Sequence, residues 1–414
     1  MLFYFLMVRM AALFNRKARL LVKGQQTVWQ QLKEQNAEQH KGDWLWIHAA
    51  SVGEFEQAKP IIQAIRADNE QRKANNLPLR YPRHILVTFF SPSGYEACKN
   101  YKDAELISYL PFATKRNARR FIDMIDPSMV LFVKYEFWGA YLKEMKKRNI
   151  PLYSVCSIFR KSQFFFRPLI GKPYLNLLKC FTRLLVQDEN SSRLLREYGI
   201  NNAVVVGDTR FERVADISEN YRLGGHTELL LSEFINDKTI VAGSTWQADE
   251  QLLARYIEEH NDVKLILVPH EIDELHLGQI FNIFKGRYVR FSEADSRNIR
   301  MTRVLLIDTI GMLSKLYHYS AIAYVGGGFG AGIHNTLEPA AHGKAVVFGP
   351  NYKNFREATA MISCGAAISI NNYQQLASAL DNAFLNAELM GNKAAEYVQS
   401  EQGATAKILE LICQ

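Results

Sequence analysis

The sequence predicts an α/β protein built from two doubly wound halves, each a parallel sheet flanked by helices. Three observations lead there. Short apolar runs of strand length recur along the chain, separated by stretches of helical periodicity, which is how βαβ units are written. The 414 residues exceed what one core ordinarily organises and suit two domains of about 200 residues each. Near the middle, residues 208–237 form a polar, irregular segment containing Gly224-Gly225, where the first series stops.

The strands expected in the first half are 44–47, 84–90, 106–110, 129–133, 151–155, 184–187 and 203–206. A second series follows at 239–242, 263–269, 288–291, 304–308, 322–325 and 345–348. Between strands, a turn at Ser91-Pro92-Ser93-Gly94 opens one helix, and Asp126-Pro127 closes a basic one carrying Lys115, Arg116, Arg119 and Arg120. Those four cations fit either a phosphorylated ligand or a solvated helix face. Two such halves facing across a cleft are common among nucleotide-sugar glycosyltransferases, and periplasmic binding proteins and some epimerases share the arrangement.

The amino terminus is written differently. MLFYFLMVRMAALF is almost wholly apolar and is followed by NRKARLLVK. Fourteen residues interrupted by Arg9 fall short of the roughly 20 that span a bilayer. At about 100° per residue, Arg9, Arg16, Arg19 and Lys23 share one side of a helix wheel, and the first acidic residue is Glu34. Residues 1–24 are therefore expected to lie as a helix in the headgroup plane of an anionic membrane, a cleaved signal or an ordinary docked helix being the competitors. A net charge of +8 agrees with a polyanionic partner without choosing among nucleic acid, lipid and phosphorylated substrate. The five cysteines, Cys98, Cys156, Cys180, Cys364 and Cys413, are scattered and odd in number, against both a disulfide framework and a zinc site.

The stretch IHAASVGEFEQAKP, residues 47–60, organises the first half. An apolar strand runs into Ala49, Ala50, Ser51 and Gly53, then into a helical pattern through Ile61, Ile62 and Ile65. Glu54 falls in the first turn of that helix, at the carboxyl end of a strand, where open α/β sheets place their ligand crevice. A carboxylate there can take a proton from an alcohol; it can also merely complement the helix dipole. In the second half, Gly243-Ser244-Thr245 follows a strand and opens a helix, suited to a phosphate or to simple capping. Farther on, Gly326-Gly327-Gly328, His334-Asn335 and Glu338 follow another strand, with Glu338 placed to bond ribose hydroxyls. The glycines do not follow G-x-G-x-x-G, which argues against a dinucleotide site.

These motifs, taken in order, resemble the bacterial 3-deoxy-D-manno-octulosonic acid (Kdo) transferases, glycosyltransferases of the two-domain GT-B fold. The matching pieces are HAASVGE (48–54), YEFW (135–138), SIFRKS (157–162), GDTRFE (207–212), GST (243–245), VPH (268–270) and GGGF…GIHNTLEPAAHGKAVVFGP…NF. The resemblance covers almost the whole chain. It implies transfer of Kdo from CMP-Kdo, with inversion, to the 6′-hydroxyl of the lipid A precursor lipid IVA or its Kdo-bearing form. The setting it implies is the cytoplasmic side of the inner membrane, without a metal or other cofactor. It further implies Glu54 as the base, with Glu136 and Arg210 around the transferring sugar, and Ser51, Gly53 and Arg160 toward the acceptor. On the CMP side it implies Ser244, Thr245, Pro269, His270, Ile310, Gly311, Met312, Gly327, Gly328, Asn335, Thr336, Leu337 and Glu338. The domains implied are 1–24 as anchor, 25–212 for the acceptor and 213–414 for the donor.

Three positions depart from the family pattern. His270 stands where arginine is common, Arg210 where lysine is usual, and Lys134 where the first carboxylate of E-T-E-L-W would be. No Asp-x-Asp, H-x-x-x-H or H-E-x-x-H motif occurs. Nucleic acid is not expected as a partner, since no clustered aromatic and basic sheet motif is present. The competing readings are a GT-B enzyme for another nucleotide sugar and a non-catalytic binding protein of the same shape.

Overall fold

The computed structural model describes residues 2–35, 37–167 and 171–413; Met1 and the side chains of residues 2–6, part of the expected anchor, lie outside the described residues. The chain divides into two compact units, Met1–Arg213 with Gln402–Gln414, and Val214–Glu401.

The first unit contains strands β1 (Trp44–Ala49), β2 (His84–Phe89), β3 (Leu106–Tyr109), β4 (Pro127–Val133), β5 (Leu152–Ser157), β6 (Arg183–Val186) and β7 (Ala203–Val205). They form one sheet in the order β3-β2-β1-β4-β5-β6-β7, parallel throughout. β1 is buried along its whole length, because helices cover both faces of a parallel sheet and no residue of a central strand reaches water. Trp44, Trp46, Phe121, Phe132 and Tyr141 pack on one face, and Ile47, Phe55, Ile61, Ile62 and Ile65 belong to the cluster on the other.

The second unit carries β8 (Thr239–Thr245), β9 (Lys264–Pro269), β10 (Val289–Arg290), β11 (Val304–Leu306), β12 (Ile322–Val325), β13 (Ala345–Phe348) and β14 (Ala367–Ser369). Their order is β10-β11-β9-β8-β12-β13-β14, again parallel. In each sheet the strand order reverses once, between β1 and β4 and between β8 and β12. Crevices at the carboxyl ends of such strand pairs are where doubly wound sheets hold ligands. The sequence expectation of two doubly wound halves holds, with β14 added beyond it.

Three features of the expected layout differ. Residues 1–24 are not one helix: Leu2–Ala11 is followed by a turn, and a second helix, Arg16–Glu34, starts at the cap Asn15, whose Oδ1 accepts from Ala18 N at 3.1 Å. That second helix buries Leu21, Val28 and Leu32, and Gly24 lies so close to the Tyr109 ring that a Cβ would come within 2.3 Å of it. It is docked, so no boundary falls at residue 24. Met7, Met10, Leu13 and Phe14 remain exposed, Phe14 at 93%. Among the described residues no helix is long and apolar enough to cross a membrane.

The polar stretch 208–237 is not an irregular linker either; it holds the helices Arg210–Glu219 and Gly225–Phe234, whose Leu230, Leu231 and Phe234 are buried. Finally, the last helix, Ala404–Ile412, belongs to the first unit instead of the second. Ile408 and Ile412 join the core that contains Ile61 and Ile62, and Glu212 Oε1 accepts from Gly403 N (2.9 Å) and Thr405 N (3.0 Å) at its start. A carboxylate at a helix amino terminus satisfies donors that have no partner within the helix.

Candidate active site

In the first unit, β1 ends at Ala49 and the helix Val52–Ala74 begins three residues later, capped by Ser51, whose Oγ accepts from Glu54 N at 3.4 Å. Glu54 turns its carboxylate back over this first turn, where Oε2 accepts from Ala50 N at 2.6 Å. Its other oxygen has no hydrogen-bond partner among the described residues. One oxygen is therefore anchored by the backbone and the other is available to a hydroxyl proton. Burial pushes the Glu54 carboxyl above its usual range and the nearby Glu136 pushes the same way, against the Ala50 amide, Lys134 and His48.

Glu136 arrives from the carboxyl end of β4, on the other side of the point where the strand order reverses. Lys134 makes the turn with φ +56°, a left-handed conformation that costs a non-glycine residue about 1 kcal/mol or more. Its carbonyl accepts from Ser154 Oγ (3.3 Å) and Ser157 Oγ (3.0 Å), and its N–H donates to Val155 O (2.9 Å), so neighbouring β5 holds the turn. Beyond it, Glu136 Oε2 accepts from Trp138 Nε1 at 2.5 Å and faces His48 Nε2 at 3.1 Å. His48 is fully buried on β1, and its Nδ1 lies 3.0 Å from Thr88 O. Nδ1 also lies 2.9 Å from Thr88 Oγ1, and Trp138 Nε1 donates to His48 Nε2 at 3.1 Å as well as to Glu136, so His48, Glu136 and Trp138 form one hydrogen-bonded cluster.

Arg210 follows β7. Its Nε and Nη2 donate to Asp208 Oδ2 at 2.8 and 2.7 Å, and Asp208 Oδ1 accepts from Gln57 Nε2 at 3.1 Å. Gln57 is three residues beyond Glu54 on the same helix, so the buried Asp208 ties Arg210 to that helix. Arg160 is exposed in the loop after β5, close enough to lower the pKa of Tyr135, which burial raises. Glu54, Glu136, Arg210, Ser51, Gly53 and Arg160 thus all lie at the carboxyl edge of one parallel sheet. The basic residues Lys115, Arg116, Arg119 and Arg120 do not join them. They line a separate groove of about 630 Å³ with Lys33 and Lys41, bordered by Glu38 and Asp123. Phe165 and Phe166 are core residues, whereas Phe164 is 42% exposed.

The second unit repeats the geometry with other chemistry. Ser244 bends the end of β8 at φ +53°. Thr245 is buried and its hydroxyl donates to Glu250 Oε1 at 3.0 Å, so this side chain braces the turn and does not itself face a ligand. The helix Gln247–Glu259 is capped at Trp246, not at Ser244 or Thr245. Asp249, fully buried, accepts from Trp246 N (3.0 Å), Tyr324 Oη (2.7 Å) and Gly327 N (3.0 Å). It clasps the glycine loop after β12 to the loop after β8. A Cβ on Gly326 would stand 2.4 Å from Ser244 O, and one on Gly328 would stand 2.6 Å from Gly349 Cα, so these two loops admit no side chain there.

The rest of the expected donor side is distributed along this edge. Pro269 ends β9, and exposed His270 donates its N–H to Thr245 O at 3.0 Å. Past β11, Ile310 is 90% exposed, Gly311 adopts φ +92° and Met312 Sδ accepts from Thr309 Oγ1 at 3.0 Å. Asn335 bridges Leu337 N (3.0 Å) and Glu338 Oε1 (3.0 Å). Leu337 is fully buried, so only its backbone can meet a ligand; Thr336 Oγ1 is buried and has no hydrogen-bond partner among the described residues. Among the described residues no three His, Cys, Asp or Glu side chains gather as a metal-holding group.

Sequence reasoning passed over His48, Trp138, Asp208 and Asp249 as site-forming residues. The pairing of His48 with Glu136 spans 88 residues and depends on β1 and β4 being neighbours, for which no local signal exists.

Residues 24–213 match the family model described as 3-deoxy-D-manno-octulosonic-acid transferase (kdotransferase). The 3-deoxy-D-manno-octulosonic acid transferase of Haemophilus influenzae is 25% identical over 89% of this chain and 86% of its own. That of Aquifex aeolicus is 26% identical over 81% of this chain and 84% of its own. Among solved structures, UDP-GlcNAc 2-epimerase from Neisseria meningitidis superposes with a TM-score of 0.63 at 13% identity, covering 89% of this chain and 98% of that one. A glycosyltransferase from Rickettsia africae gives 0.56 at 14% identity, over 89% and 97%. These structural likenesses establish the two-domain α/β GT-B fold. With HAASVGE and the glycine loop each at the point where its sheet reverses, the chain is similar over most of its length to 3-deoxy-D-manno-octulosonic acid (Kdo) transferases, and residues 24–213 carry the match to that family's model.

Proposed function

We propose that this glycosyltransferase moves Kdo from CMP-Kdo to the 6′-hydroxyl of a lipid A precursor, lipid IVA or its Kdo-bearing form, with inversion and without a metal. The observation that carries this reading is the carboxylate of Glu54, anchored through Oε2 and open at Oε1, with its pKa raised by burial and by Glu136. A base is most effective when its pKa approaches the working pH, and both influences move Glu54 that way. Glu54 takes the acceptor hydroxyl proton as that oxygen bonds to C2 of Kdo. The bond from C2 to the phosphate oxygen breaks in the same displacement, and CMP leaves with the electron pair. Arg210, aligned by Asp208, offsets charge on the leaving phosphate, and Arg160 and Gly53 border the acceptor.

On the donor side, the backbone of Gly326–Gly328, Ser244, His270 and the Asn335–Glu338 segment receive the nucleotide. Exposed Met7, Met10, Leu13 and Phe14, with Arg16 and Arg19 beyond them, seat the enzyme on the anionic cytoplasmic face of the inner membrane. A transfer assay with CMP-Kdo and tetraacyl disaccharide bisphosphate in detergent, read by product mass, tests the reading. Wild type adds one or more Kdo units and Glu54→Gln does not. If wild type releases CMP without adding mass to this acceptor, the acceptor is different; if it consumes no CMP-Kdo, the donor is.

A further inference from the structure

Three rings at the carboxyl edge of the second sheet form one assembly. Trp246 Nε1 donates to His334 Nε2 at 3.1 Å, and His270 stacks on both members of that pair. Its centroid lies 4.8 Å from Trp246 at 28° and 4.3 Å from His334 at 25°. The glycine loop presses on the same group, since a Cβ on Gly327 would lie 2.8 Å from His334 Cδ2. An indole N–H only donates, so His334 Nε2 must be without a proton and the ring is neutral, protonated on Nδ1. Adding a proton to His334 would break the bond to Trp246. The ring of His270, exposed, makes no hydrogen bond among the described residues and is free to take one.

We infer that His270 takes up a proton when the anionic nucleotide binds, making a switchable cation held over the Trp246 indole and the neutral His334 ring. This rests on the donor side being a nucleotide site, as proposed above. An imidazolium over an indole face is favoured by the ring quadrupole, and a phosphate supplies the opposite charge on the open side. The surrounding titratable groups leave this role to His270. On the helix Gln247–Glu259, Asp249 is spent on Trp246, Tyr324 and Gly327, and Glu250 on Thr245 and on His276 (3.0 Å) of the helix Glu274–Phe284. Asp273 caps that second helix at His276 N, and Glu338 is bonded to Asn335. Glu271, next to His270 in the chain, is exposed to water. Burial and the proximity of His270 hold the His334 pKa below its usual value, which keeps it the neutral member.

The sign follows from linkage. A group whose pKa is higher in the complex strengthens binding at low pH, and that strength is lost as pH rises. Above about pH 7 the phosphate of CMP is already a dianion, its second pKa lying near 6, so its own titration is out of the way. The experiment is calorimetric titration of the full chain with CMP from about pH 7 to about pH 8.5, in buffers of different ionisation enthalpy. Wild type should take up a substantial fraction of one proton per CMP, with Kd rising by as much as about tenfold per pH unit. His270→Arg, a permanent cation, should bind with no proton uptake and a Kd that changes less than about twofold over the same range. His270→Phe should bind weakly throughout, with no uptake. CMP bound tightly by wild type with no proton uptake and a flat Kd overturns the inference and leaves the donor reading standing. No CMP binding at any pH overturns the donor reading, and the inference falls with it.

Discussion

The two sheets present the same geometric opportunity and fill it in opposite ways. At the β1/β4 reversal the first unit gathers charge: Glu54, Glu136, His48 and Lys134 within one electrostatic neighbourhood, with Arg210 tied to the same helix. At the β8/β12 reversal the second unit removes side chains instead. Gly326 and Gly328 allow backbone to meet backbone, Asp249 and Glu250 are turned inward, and the stacked rings of Trp246, His270 and His334 stand at the edge. A site that moves protons needs titratable groups with one side left unsatisfied. A site that receives a phosphate needs approachable N–H donors and no resident anion in the way. The difference teaches that topology sets where a ligand goes, and local burial of carboxylates sets which chemistry is done there.

The sharpest way to break this comparison is to remove the base alone. Glu54→Gln keeps an oxygen for the Ala50 amide and loses the proton acceptor. It should lower kcat by about 10²–10⁴-fold, leaving the affinity for CMP unchanged. Steady-state rates and CMP calorimetry on the same sample check it, and loss of CMP affinity as well would show that the charged edge is not confined to the acceptor side. Second in size is the clasp of the other unit. Asp249→Ala leaves two backbone N–H groups and the Tyr324 hydroxyl without their shared acceptor, at about 1–3 kcal/mol each before relaxation. A net loss of about 3–5 kcal/mol is expected in the unfolding transition of the second unit, followed by urea titration, together with weakened CMP binding.

Much of this was legible in the sequence, and the reasons for success and failure are physical. The apolar run before Ala49 and the helical pattern through Ile61, Ile62 and Ile65 placed Glu54 at a strand's carboxyl end, because strand and helix are both local in period. Local signals also explain the errors. β14 is three residues long and escapes a period-two search, although Gly365, left-handed at φ +77°, ends the preceding helix just before it. The turns at Lys134 and Ser244 are left-handed without glycine, so no turn residue advertises them; β5 hydroxyls hold the first from 20 or more positions away. The helix Ala404–Ile412 returns to the first unit because Glu212 and the Ile61 cluster receive it, and both are remote in sequence. The candidate donor residues lie along one edge of the second sheet, yet Thr245 and Leu337 face inward, which only packing decides.

A smaller effect sharpens the electrostatic half of the comparison. Glu136→Gln retains hydrogen-bonding atoms for Trp138 and His48 and deletes the negative charge that raises the Glu54 pKa. As the proposed base, Glu54 would work deprotonated, so its raised pKa would place the acidic limb of kcat/KM above the ordinary carboxylate range. With the charge gone, that limb should move to lower pH, and the plateau should fall about tenfold as the base weakens. A pH–rate profile of the two proteins reads both changes. A limb that stays in place would assign the shift to burial alone.

The smallest expected effect compares one substitution in the two units. Gly326→Ala drives a methyl to within 2.4 Å of Ser244 O, so it must part the loops that Asp249 clasps. Gly53→Ala meets nothing within 4 Å and needs no left-handed backbone. It lies in the first turn of the helix Val52–Ala74, where alanine should stabilise by about 0.5–1 kcal/mol, a rise in Tm of about 1–4 °C. The open space over Gly53 is empty of protein, and a sugar approaching the Glu54 carboxylate would enter it. Gly53→Ala is therefore expected to fold better and bind acceptor worse, with acceptor KM rising several-fold and CMP affinity unchanged. Thermal melts and acceptor saturation curves separate the two effects. An unchanged acceptor KM in the stabilised variant would mean that the acceptor reaches Glu54 from another side, and the crevice would have to be redrawn around Arg160 and the β4 turn.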